Sequence, residues 1–263
     1  MNAVHVDGLT KVFPARKGEV RAVDGISFQV ERGEIFGLLG PNGAGKTTTL
    51  RMLATLLSPT AGRAEVFGHS LTADPNRVRE HLGFLATETG LYERLTPQET
   101  LRYFGLMYGL APRQVEDRAR AVLDLLGLWP LRSRRVGSLS TGERQKLSFA
   151  RCLVHDPPLL ILDEPTAGLD VFVARTVVEL IRELAGRGKT VLLSTHQMQL
   201  AGKLCGRVGI IHQGKLVAVG TPAGLGEQVG GADFEEVFFR TLARAGLSLP
   251  GAKGVPQGGM GEC

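Results

Sequence analysis

A glycine-rich octapeptide, GPNGAGKT at residues 40–47, constrains the fold of this 263-residue chain more than any other stretch. It matches the pattern GxxxxGK followed by Ser or Thr, in which glycines let the backbone curl so that its N–H groups face phosphate oxygens. The apolar run EIFGLLG precedes it, and the run TTTLRMLATLL after it has helical spacing. A strand that leads through a glycine-rich turn into a helix opens a parallel α/β sheet, so the pattern predicts that fold class.

The octapeptide also predicts a nucleotide site. Lys46 is expected to reach the β and γ phosphates, and the Thr47 hydroxyl is expected to bind Mg²⁺. A glycine-rich turn without a ligand is the alternative, and the position between a strand and a helix disfavours it. The candidate phosphate-binding residues are Gly40, Asn42, Gly43, Gly45, Lys46, Thr47 and Thr48.

The stretch LLILDEP at residues 159–165 places two carboxylates directly after four apolar residues. A buried strand of a parallel sheet presents ligands at its carboxyl end. Asp163 is therefore a candidate to hold Mg²⁺ through water, and Glu164 is a candidate to polarise the attacking water. Adjacent strand residues point to opposite faces, so the backbone must turn here, which Pro165 favours. Read alone, an acidic pair after a strand is more often a helix cap.

Two further stretches offer polar groups. STH at residues 194–196 follows the apolar run VLL, and the His196 imidazole is a candidate donor to a γ-phosphate oxygen. A lone histidine is otherwise usually a surface or core residue. LSTGERQKL at residues 139–147 starts a helical run with Ser140 and Gly142, whose hydroxyl and N–H groups favour an anion. The sequence therefore predicts a second anion site far from the first along the chain.

The order of the motifs is specific: GPNGAGKT, LSTGERQKL, LLILDEP, AGLD and STH. In this order the chain resembles the ATP-binding subunit of ABC transporters, from about Val4 to Gly220. The resemblance implies an α/β fold with a P-loop NTPase (RecA-like) core, an N-terminal antiparallel β subdomain and an inserted α-helical subdomain. It implies an ATPase that uses ATP and Mg²⁺. The implied partners are a second ABC ATPase subunit and a separate transmembrane permease subunit, with no nucleic acid.

The same resemblance implies a role for the second anion site. In the family this segment caps the γ-phosphate of ATP bound to another subunit, so that two nucleotides are sandwiched head to tail. Ser140 and Gly142 are the residues here that correspond to that cap. Closure of the dimer would then depend on the γ-phosphate, and hydrolysis would release it.

Two other correspondences concern single residues. Phe13 stands where the family stacks an aromatic ring on adenine, and a core-facing strand residue is the alternative. Gly168, Leu169 and Asp170 match the D-loop that crosses the dimer interface in the family. Asp170 also suits the N-cap of the helix that follows, and the two roles are compatible.

Two departures from the family pattern matter. LSTGE replaces the commoner LSGGQ, so Thr141 restricts the backbone and Glu143 places negative charge near a phosphate site. In LGFLATETGLYERLT, Ala86 and Thr87 stand where Pro-Gln or Pro-Glu is common, and Thr87 and Glu88 are both candidates to replace the missing amide. With these departures the chain is similar to the NatA-type and related ABC-2 exporter ATPases, and Na⁺ efflux is one implied activity.

The distribution of amphipathic runs predicts the domain organisation. PQETLRYFGLMYGL and RQVEDRARAVLDLLGL, with no strand between them, predict a helical insertion at about residues 88–155 of an ABC ATPase domain spanning 1–232. FEEVFFRTLARA predicts a C-terminal helix at 233–246. High Pro and Gly content predicts a disordered tail at 247–263.

Composition limits the remaining possibilities. The chain has no run of about 18 apolar residues, and its first residues lack the features of a signal peptide, so we expect a cytoplasmic location. With a permease partner, this becomes peripheral attachment to the cytoplasmic face of the cell membrane. Cys152, Cys205 and Cys263 are widely spaced, which predicts reduced thiols. A net charge of +5 is too modest to indicate a nucleic-acid or membrane surface.

Two other functions compete with the transporter hypothesis. A soluble ABC ATPase acting on nucleic acid or ribosomes predicts a coiled-coil insertion, zinc cysteines or two cassettes, and the sequence has none of these. An ATP-gated dimerising switch predicts loss of catalytic groups, whereas Lys46, Asp163, Glu164 and His196 are all present. The missing amide near Thr87 is the feature that favours such a switch.

Overall fold

The computed structural model describes residues 2–16, 18–86, 90–231 and 233–247 of the chain. One of its sheets is antiparallel throughout. Its four strands lie in the order β2 (Gly18–Glu31), β1 (Asn2–Ala15), β4 (Ala61–Val66) and β5 (His69–Ser70). The long β1–β2 hairpin agrees with the two alternating segments predicted near the N-terminus, and it forms the side of the molecule next to the phosphate loop.

The second sheet has six strands, of which five are parallel. The strand at one edge runs antiparallel to its neighbour. The strands lie in the order β10 (Lys215–Gly220), β9 (Arg207–His212), β3 (Ile35–Leu39), β8 (Thr190–Thr195), β7 (Leu159–Asp163) and β6 (Leu82–Leu85). Strands β7 and β8 are buried along their whole length, as expected for a parallel sheet that is covered on both faces.

Helices connect the parallel strands and cover the sheet. Those of the described residues are α1 (Lys46–Leu53), α2 (Pro75–Glu80), α3 (Pro97–Met107), α4 (Pro112–Leu125), α5 (Thr141–Leu153), α6 (Val171–Gly186), α7 (Met198–Leu204), α8 (Pro222–Val229) and α9 (Phe234–Arg244). The three helices α3, α4 and α5 pack against one another and follow β6 in the chain. This is where the sequence predicts the helical insertion.

The core lies on both faces of the parallel sheet. Along β7, Leu160 and Leu162 belong to a cluster formed with α3 to α9, whereas Leu159 and Ile161 belong to a cluster formed with α1 and the antiparallel sheet. This alternation follows from the two-residue period of a strand. Strand β7 is therefore fixed from both sides, which holds its last residue, Asp163, in place.

Strand order brings three sequence motifs together. Strand β8 lies between β3 and β7, with Leu39 opposite Thr195 and Asp163 opposite Ser194. The carboxyl ends of these parallel strands therefore form one edge of the sheet, where such folds bind their ligands. All three motifs lie at that edge: GPNGAGKT follows β3, LDE is at the end of β7, and STH is at the end of β8.

The sequence analysis located most elements but missed one region. The strand predicted at 159–163 has those bounds, and the predicted helix FEEVFFRTLARA begins at Phe234. No prediction was made for β4, α2 or β6, which are short and carry few β-branched residues. The predicted tail from residue 248 onward lies outside the described residues.

Candidate functional site

The phosphate loop is a tight turn between β3 and α1. The Gly40 N–H donates to the Thr195 carbonyl at 3.4 Å, and the Ala44 N–H donates to the Pro41 carbonyl at 3.2 Å. Helix α1 starts after Gly45, which has no side chain to cap it, and the first turn contains no acidic residue. The N–H groups at this helix start therefore suit an anionic ligand.

At two positions of the loop, neighbouring backbone atoms leave room only for glycine. A Cβ on Gly40 would lie 2.2 Å from the Ile211 carbonyl oxygen, and a Cβ on Gly45 would lie 2.4 Å from the Ala22 carbonyl oxygen. Gly45 also has φ +105°, in the region that side chains disfavour. The loop is therefore in close contact with β9 on one side and with β2 on the other.

Lys46 is almost completely buried, with 5% of its surface exposed. Its ammonium donates to the carbonyls of Gly40 at 2.7 Å and Pro41 at 3.1 Å. It also forms an ion pair with Glu164, with Nζ and Oε1 3.3 Å apart. A buried cation with such partners is well placed to bind phosphate oxygens.

Asp163 and Thr47 are adjacent, as predicted for residues that share a metal. The Thr47 hydroxyl donates to Asp163 Oδ1 at 3.0 Å, and the carboxylate is 1% exposed. Hydroxyl and carboxylate oxygens are ligands that Mg²⁺ prefers. The donor set therefore fits Mg²⁺, which would neutralise phosphate charge when bound there.

At Glu164 the backbone turns, as the sequence analysis required. Its φ is +50°, an unusual value for a residue other than glycine. Its side chain lies between two groups: Oε1 faces Lys46, and Oε2 lies 3.0 Å from His196 Nδ1. Within the described residues Oε1 accepts no hydrogen bond, so it can accept one from a water molecule.

Ser194 belongs to this site although the sequence analysis did not assign it a role. Its hydroxyl donates to Asp163 Oδ1 at 2.6 Å and accepts from the Glu164 N–H at 3.0 Å. The sequence signal was a serine at the end of an apolar strand, two residues before His196. This pattern predicts a role for Ser194 only once β8 is known to lie beside β7.

The second predicted anion site is the start of α5. Ser140 caps this helix and is exposed, and its Oγ accepts from the Glu143 N–H at 3.3 Å. The Glu143 carboxylate in turn accepts from the Ser140 N–H at 2.7 Å, which lowers the pKa of Glu143. A Cβ on Gly142 would lie 2.9 Å from a methyl group of Val173, so the start of α5 packs closely on α6.

The remaining predicted residues occupy separate positions. Phe13 is half-buried in β1 opposite Val20, with the Lys11 ammonium 5.2 Å from its ring centre. Asp170 caps α6 by accepting from the N–H groups of Phe172 and Val173, at 2.9 and 3.1 Å. Thr87 and Glu88 lie outside the described residues.

The structure thus brings the phosphate loop, Asp163, Glu164 and His196 into one site. The start of α5 is connected to the segment after Glu164 by a hydrogen bond from Gln145 Nε2 to the Pro165 carbonyl, at 3.2 Å. A glycine-rich phosphate loop, a buried lysine and an acidic strand end at one edge of a parallel sheet define a P-loop nucleoside triphosphatase.

Comparison with known proteins identifies the family. The family model described as ABC transporter matches residues 23–167, and the chain belongs to this family. The chain is 40% identical over 233 residues to the ABC transporter ATP-binding protein NatA of Bacillus subtilis (strain 168), covering 88% of this chain and 95% of that protein. It is also 40% identical over 228 residues to the daunorubicin/doxorubicin resistance ATP-binding protein DrrA of Streptomyces peucetius, covering 87% and 68% of the two chains.

Solved structures agree with this assignment. The ATP-binding subunit of an ABC transporter superposes with a TM-score of 0.81 at 31% identity, over 91% of this chain and 99% of that one. The ATP-binding cassette MJ0796, solved as a dimer with ADP and Pi, has the same fold, with a TM-score of 0.75 at 24% identity over 83% and 98% of the chains.

Family membership establishes the general activity. The chain is an ATP-binding subunit of an ABC transporter, and it hydrolyses ATP. Membership of this family implies a permease as partner. Among the described residues, no helix is both long and apolar enough to cross a bilayer.

Proposed function

We propose that this chain powers an exporter of the ABC-2 type from the cytoplasmic face of the membrane. ATP closes two ATP-binding subunits around a pair of nucleotides, and hydrolysis opens them. The observation that carries this proposal is the position of Glu164 between Lys46 and His196, next to Asp163. A candidate base, a candidate phosphate-binding cation and a candidate metal ligand thus share one small site, which supports the proposal.

Each residue has a role that follows from its contacts. Lys46 binds the β and γ phosphates, and Thr47 and Asp163 hold Mg²⁺. Glu164 orients the attacking water and accepts its proton through Oε1, which Lys46 leaves when phosphate is present. His196 donates through Nδ1 to Oε2 and holds the Glu164 carboxylate in position. With both ring nitrogens protonated, it also donates through Nε2 to the transferred phosphoryl group.

The rest of the nucleotide is bound by backbone groups and one ring. Gly40, Gly43 and Gly45, with the neighbouring Asn42 and Thr48, surround the phosphates, and Phe13 stacks on the adenine. Strand β2 supports this arrangement because it touches the phosphate loop at Ala22, close to where it pairs with β1. Phe13 lies in β1 opposite Val20, two residues from that contact.

The start of α5 supplies the other half of the nucleotide site to the second subunit. The Oγ of Ser140 accepts from Glu143, so its proton is directed away from the helix. Gly142 allows α5 to begin directly against α6, and Asp170 caps α6 at the same contact. The exposed Ser140 hydroxyl and the N–H groups at the start of α5 fit a γ-phosphate that is bound by another subunit.

Relatives support an exporter without identifying its cargo. Their names refer to daunorubicin and doxorubicin resistance, Nod factor export and linearmycin resistance. Cargo molecules as different as these share no recognition chemistry, so we assign cargo selection to the permease. Na⁺ is one candidate cargo. Because these relatives are named as export or resistance proteins, they favour transport over action on nucleic acid or ribosomes.

A cleft beside the helical group is our candidate docking site for the permease. It has a volume of about 740 Å³ and lies between the end of α1, α2 and the end of α3. Leu56 and Met107 line it and are 63% and 65% exposed, although both are apolar. Arg79, Glu80 and Arg151 provide charge around it. Such a surface suits an amphipathic helix of a membrane subunit.

We further propose that residues 88–155 act as one helical subdomain within an ATPase domain of residues 1–232, followed by a C-terminal helix at 233–246. The packing of α3, α4 and α5 on one another supports this division. The subdomain carries Ser140 and forms one wall of the candidate permease cleft. Its movement would therefore connect transport to nucleotide binding.

The variant Glu164→Gln tests the nucleotide sandwich. It keeps the size of the side chain but removes the base, so ATP should bind without being hydrolysed. Light scattering should show a dimer in saturating Mg-ATP and a monomer in ADP. Lys46→Ala in the same background should remain monomeric because phosphate binding is lost. A strictly monomeric Glu164→Gln protein that binds Mg-ATP would contradict the proposal.

The variant Met107→Asp tests the cleft. Met107 is exposed and distant in sequence from the nucleotide motifs, so the variant should fold and bind ATP normally. When the tagged variant is purified from gently solubilised membranes, much less multi-spanning protein should co-purify with it than with the tagged parent chain. Phe239→Asp is a matched control, since Phe239 is also apolar and 41% exposed but lies on α9, outside the cleft. Equal recovery with Met107→Asp would rule out this docking surface.

A further inference from the structure

Ser194 is the buried hydroxyl that joins the two acidic residues of the site. It is completely buried at the end of β8. A serine has one proton to donate and lone pairs to accept with. Here the proton goes to Asp163 Oδ1 at 2.6 Å, and the oxygen accepts from the Glu164 N–H at 3.0 Å. One hydroxyl thus contacts the candidate metal ligand and the backbone of the candidate base.

We propose that Ser194 is a positioning residue for ATP hydrolysis, an inference that rests on the roles proposed above for Asp163 and Glu164. It does not touch the nucleotide. Its bond to Asp163 sets the direction of that carboxylate, and its bond to the Glu164 N–H holds the turn that aims the Glu164 side chain.

The strained backbone shows why this second bond matters. Glu164 has φ +50°, a conformation that persists only where its surroundings enforce it. The Ser194 hydroxyl bonds to the amide of that same residue. If alanine replaced Ser194, the Glu164 N–H would remain buried against the alanine methyl group without a partner. Other backbone conformations of Glu164 would then become comparable in energy. A small rotation here moves Oε1 relative to both Lys46 and His196.

The pairing of β7 with β8 makes the arrangement specific. Asp163 lies directly opposite Ser194 in a parallel register, so a shift by one residue would turn the hydroxyl to the other face of the sheet. The next residue, Thr195, is also buried, but its hydroxyl accepts from the Gln197 N–H at 3.0 Å. Position 194 is therefore the place on β8 from which a hydroxyl reaches both acidic residues.

The variant Ser194→Ala tests the proposal. We expect kcat to fall on the order of tenfold or more, the usual scale for a lost hydrogen bond to a charged group. The Mg²⁺ concentration for half-maximal binding of a fluorescent ATP analogue should rise several-fold, whereas binding without Mg²⁺ should be unchanged. Ser194→Thr keeps the hydroxyl and should recover most of kcat.

A control on the same strand separates positioning from stability. Thr190 is 1% exposed, lies on the same face of β8, and accepts from the Gly33 N–H at 3.0 Å at the opposite end of the strand. Thr190→Val removes this buried hydroxyl without changing side-chain size. Its melting temperature should fall because a buried hydrogen bond is lost, while its kcat and Mg²⁺ dependence should match the parent protein.

Three results would overturn the proposal. The first is unchanged kcat in Ser194→Ala, and the second is an equal loss of kcat in Thr190→Val. The third is loss of kcat in Ser194→Ala without any change in Mg²⁺ dependence or any recovery in Ser194→Thr. If Glu164→Gln also kept full turnover, the error would lie in the proposed roles of the acidic residues and not in Ser194 alone.

Discussion

Glu143 is a charged residue at the start of α5, at the position where the sequence analysis expected glutamine from the family pattern. Its carboxylate accepts from the Ser140 N–H, and this bond lowers its pKa. A negative charge at the first turn of a helix also interacts favourably with the helix dipole. The charge is therefore turned back onto the helix instead of pointing freely toward an incoming phosphate. It still lies three residues from the proposed γ-phosphate contact.

We expect Glu143→Gln to strengthen ATP-driven dimerisation. The amide oxygen can keep the bond to Ser140, while the charge that repels phosphate is lost. In the Glu164→Gln background, light scattering should show half-maximal dimer at an ATP concentration several-fold lower. The isolated subunit should become slightly less stable, by about 0.3–1 kcal/mol, because the favourable interaction with the helix dipole is lost.

Glu99 provides a matched control for this prediction. It forms the same pair of bonds with Thr96 at the start of α3, with distances of 2.8 and 3.2 Å, and its pKa is lowered by the bond to the Thr96 backbone. Glu99→Gln should cost similar stability and leave dimerisation unchanged. The same ATP response in both variants, or weaker assembly of Glu143→Gln, would show that the charge at Glu143 does not oppose closure.

At the level of elements, α5 is attached to β6 through polar side chains at its C-terminal end. The Cys152 thiol donates to the Phe84 carbonyl at 3.1 Å, and His155 Nε2 lies 3.0 Å from the Leu82 carbonyl oxygen. The His155 ring stacks on Tyr108, with centres 3.6 Å apart and planes within 7°. These contacts join the helical group to the parallel sheet at the strand that leads to Ala86.

Protonation of His155 should weaken this attachment. Burial, together with the nearby charges of Lys189 and Arg118, lowers the pKa of His155 from 6.5 to about 4, although its bond to Leu82 acts in the opposite direction. The unfolded chain therefore binds the proton first, and stability falls as pH drops below about 6.5. Between pH 8 and pH 5 this residue should account for a loss of about 2 kcal/mol at most.

Urea unfolding at pH 8 and pH 5 measures this contribution. His155→Gln keeps a donor for the Leu82 carbonyl but cannot be protonated, so its free energy of unfolding should depend less on pH than that of the parent protein. Other groups titrate equally in both proteins and cancel in the comparison. An identical pH dependence would mean that His155 is protonated in the folded protein as readily as in the unfolded chain.

At the scale of the whole molecule, the sequence allowed prediction of the motifs but not of their neighbours. Lys46, Asp163 and Glu164 could be predicted because phosphate and metal chemistry restricts residue type and spacing. The bond from Ser194 to Asp163 could not, because it depends on β8 lying between β3 and β7. Strand order is set by packing of the whole chain, so it cannot be predicted from local sequence patterns.

The same distinction applies to the second anion site. The sequence predicted that Ser140 starts a helix, and the structure agrees. It left open whether the Glu143 charge is turned away from that site, since the answer depends on side-chain direction. Reciprocal capping settles this: the carboxylate lies on the Ser140 N–H. The pattern of Ser followed three residues later by Glu is itself a known signal for such a cap.

Helix α5 begins at the cap formed by Ser140, and Arg151 and Cys152 in its last turn line the candidate permease cleft. Thirteen residues of α-helix span about 20 Å, and a helix of this length is stiff. In the proposed complex α5 is a lever arm with one end at each partner. A permease that pushes on the cleft would change how far Ser140 extends toward a neighbouring subunit, and closure of two subunits would in turn move the wall of the cleft.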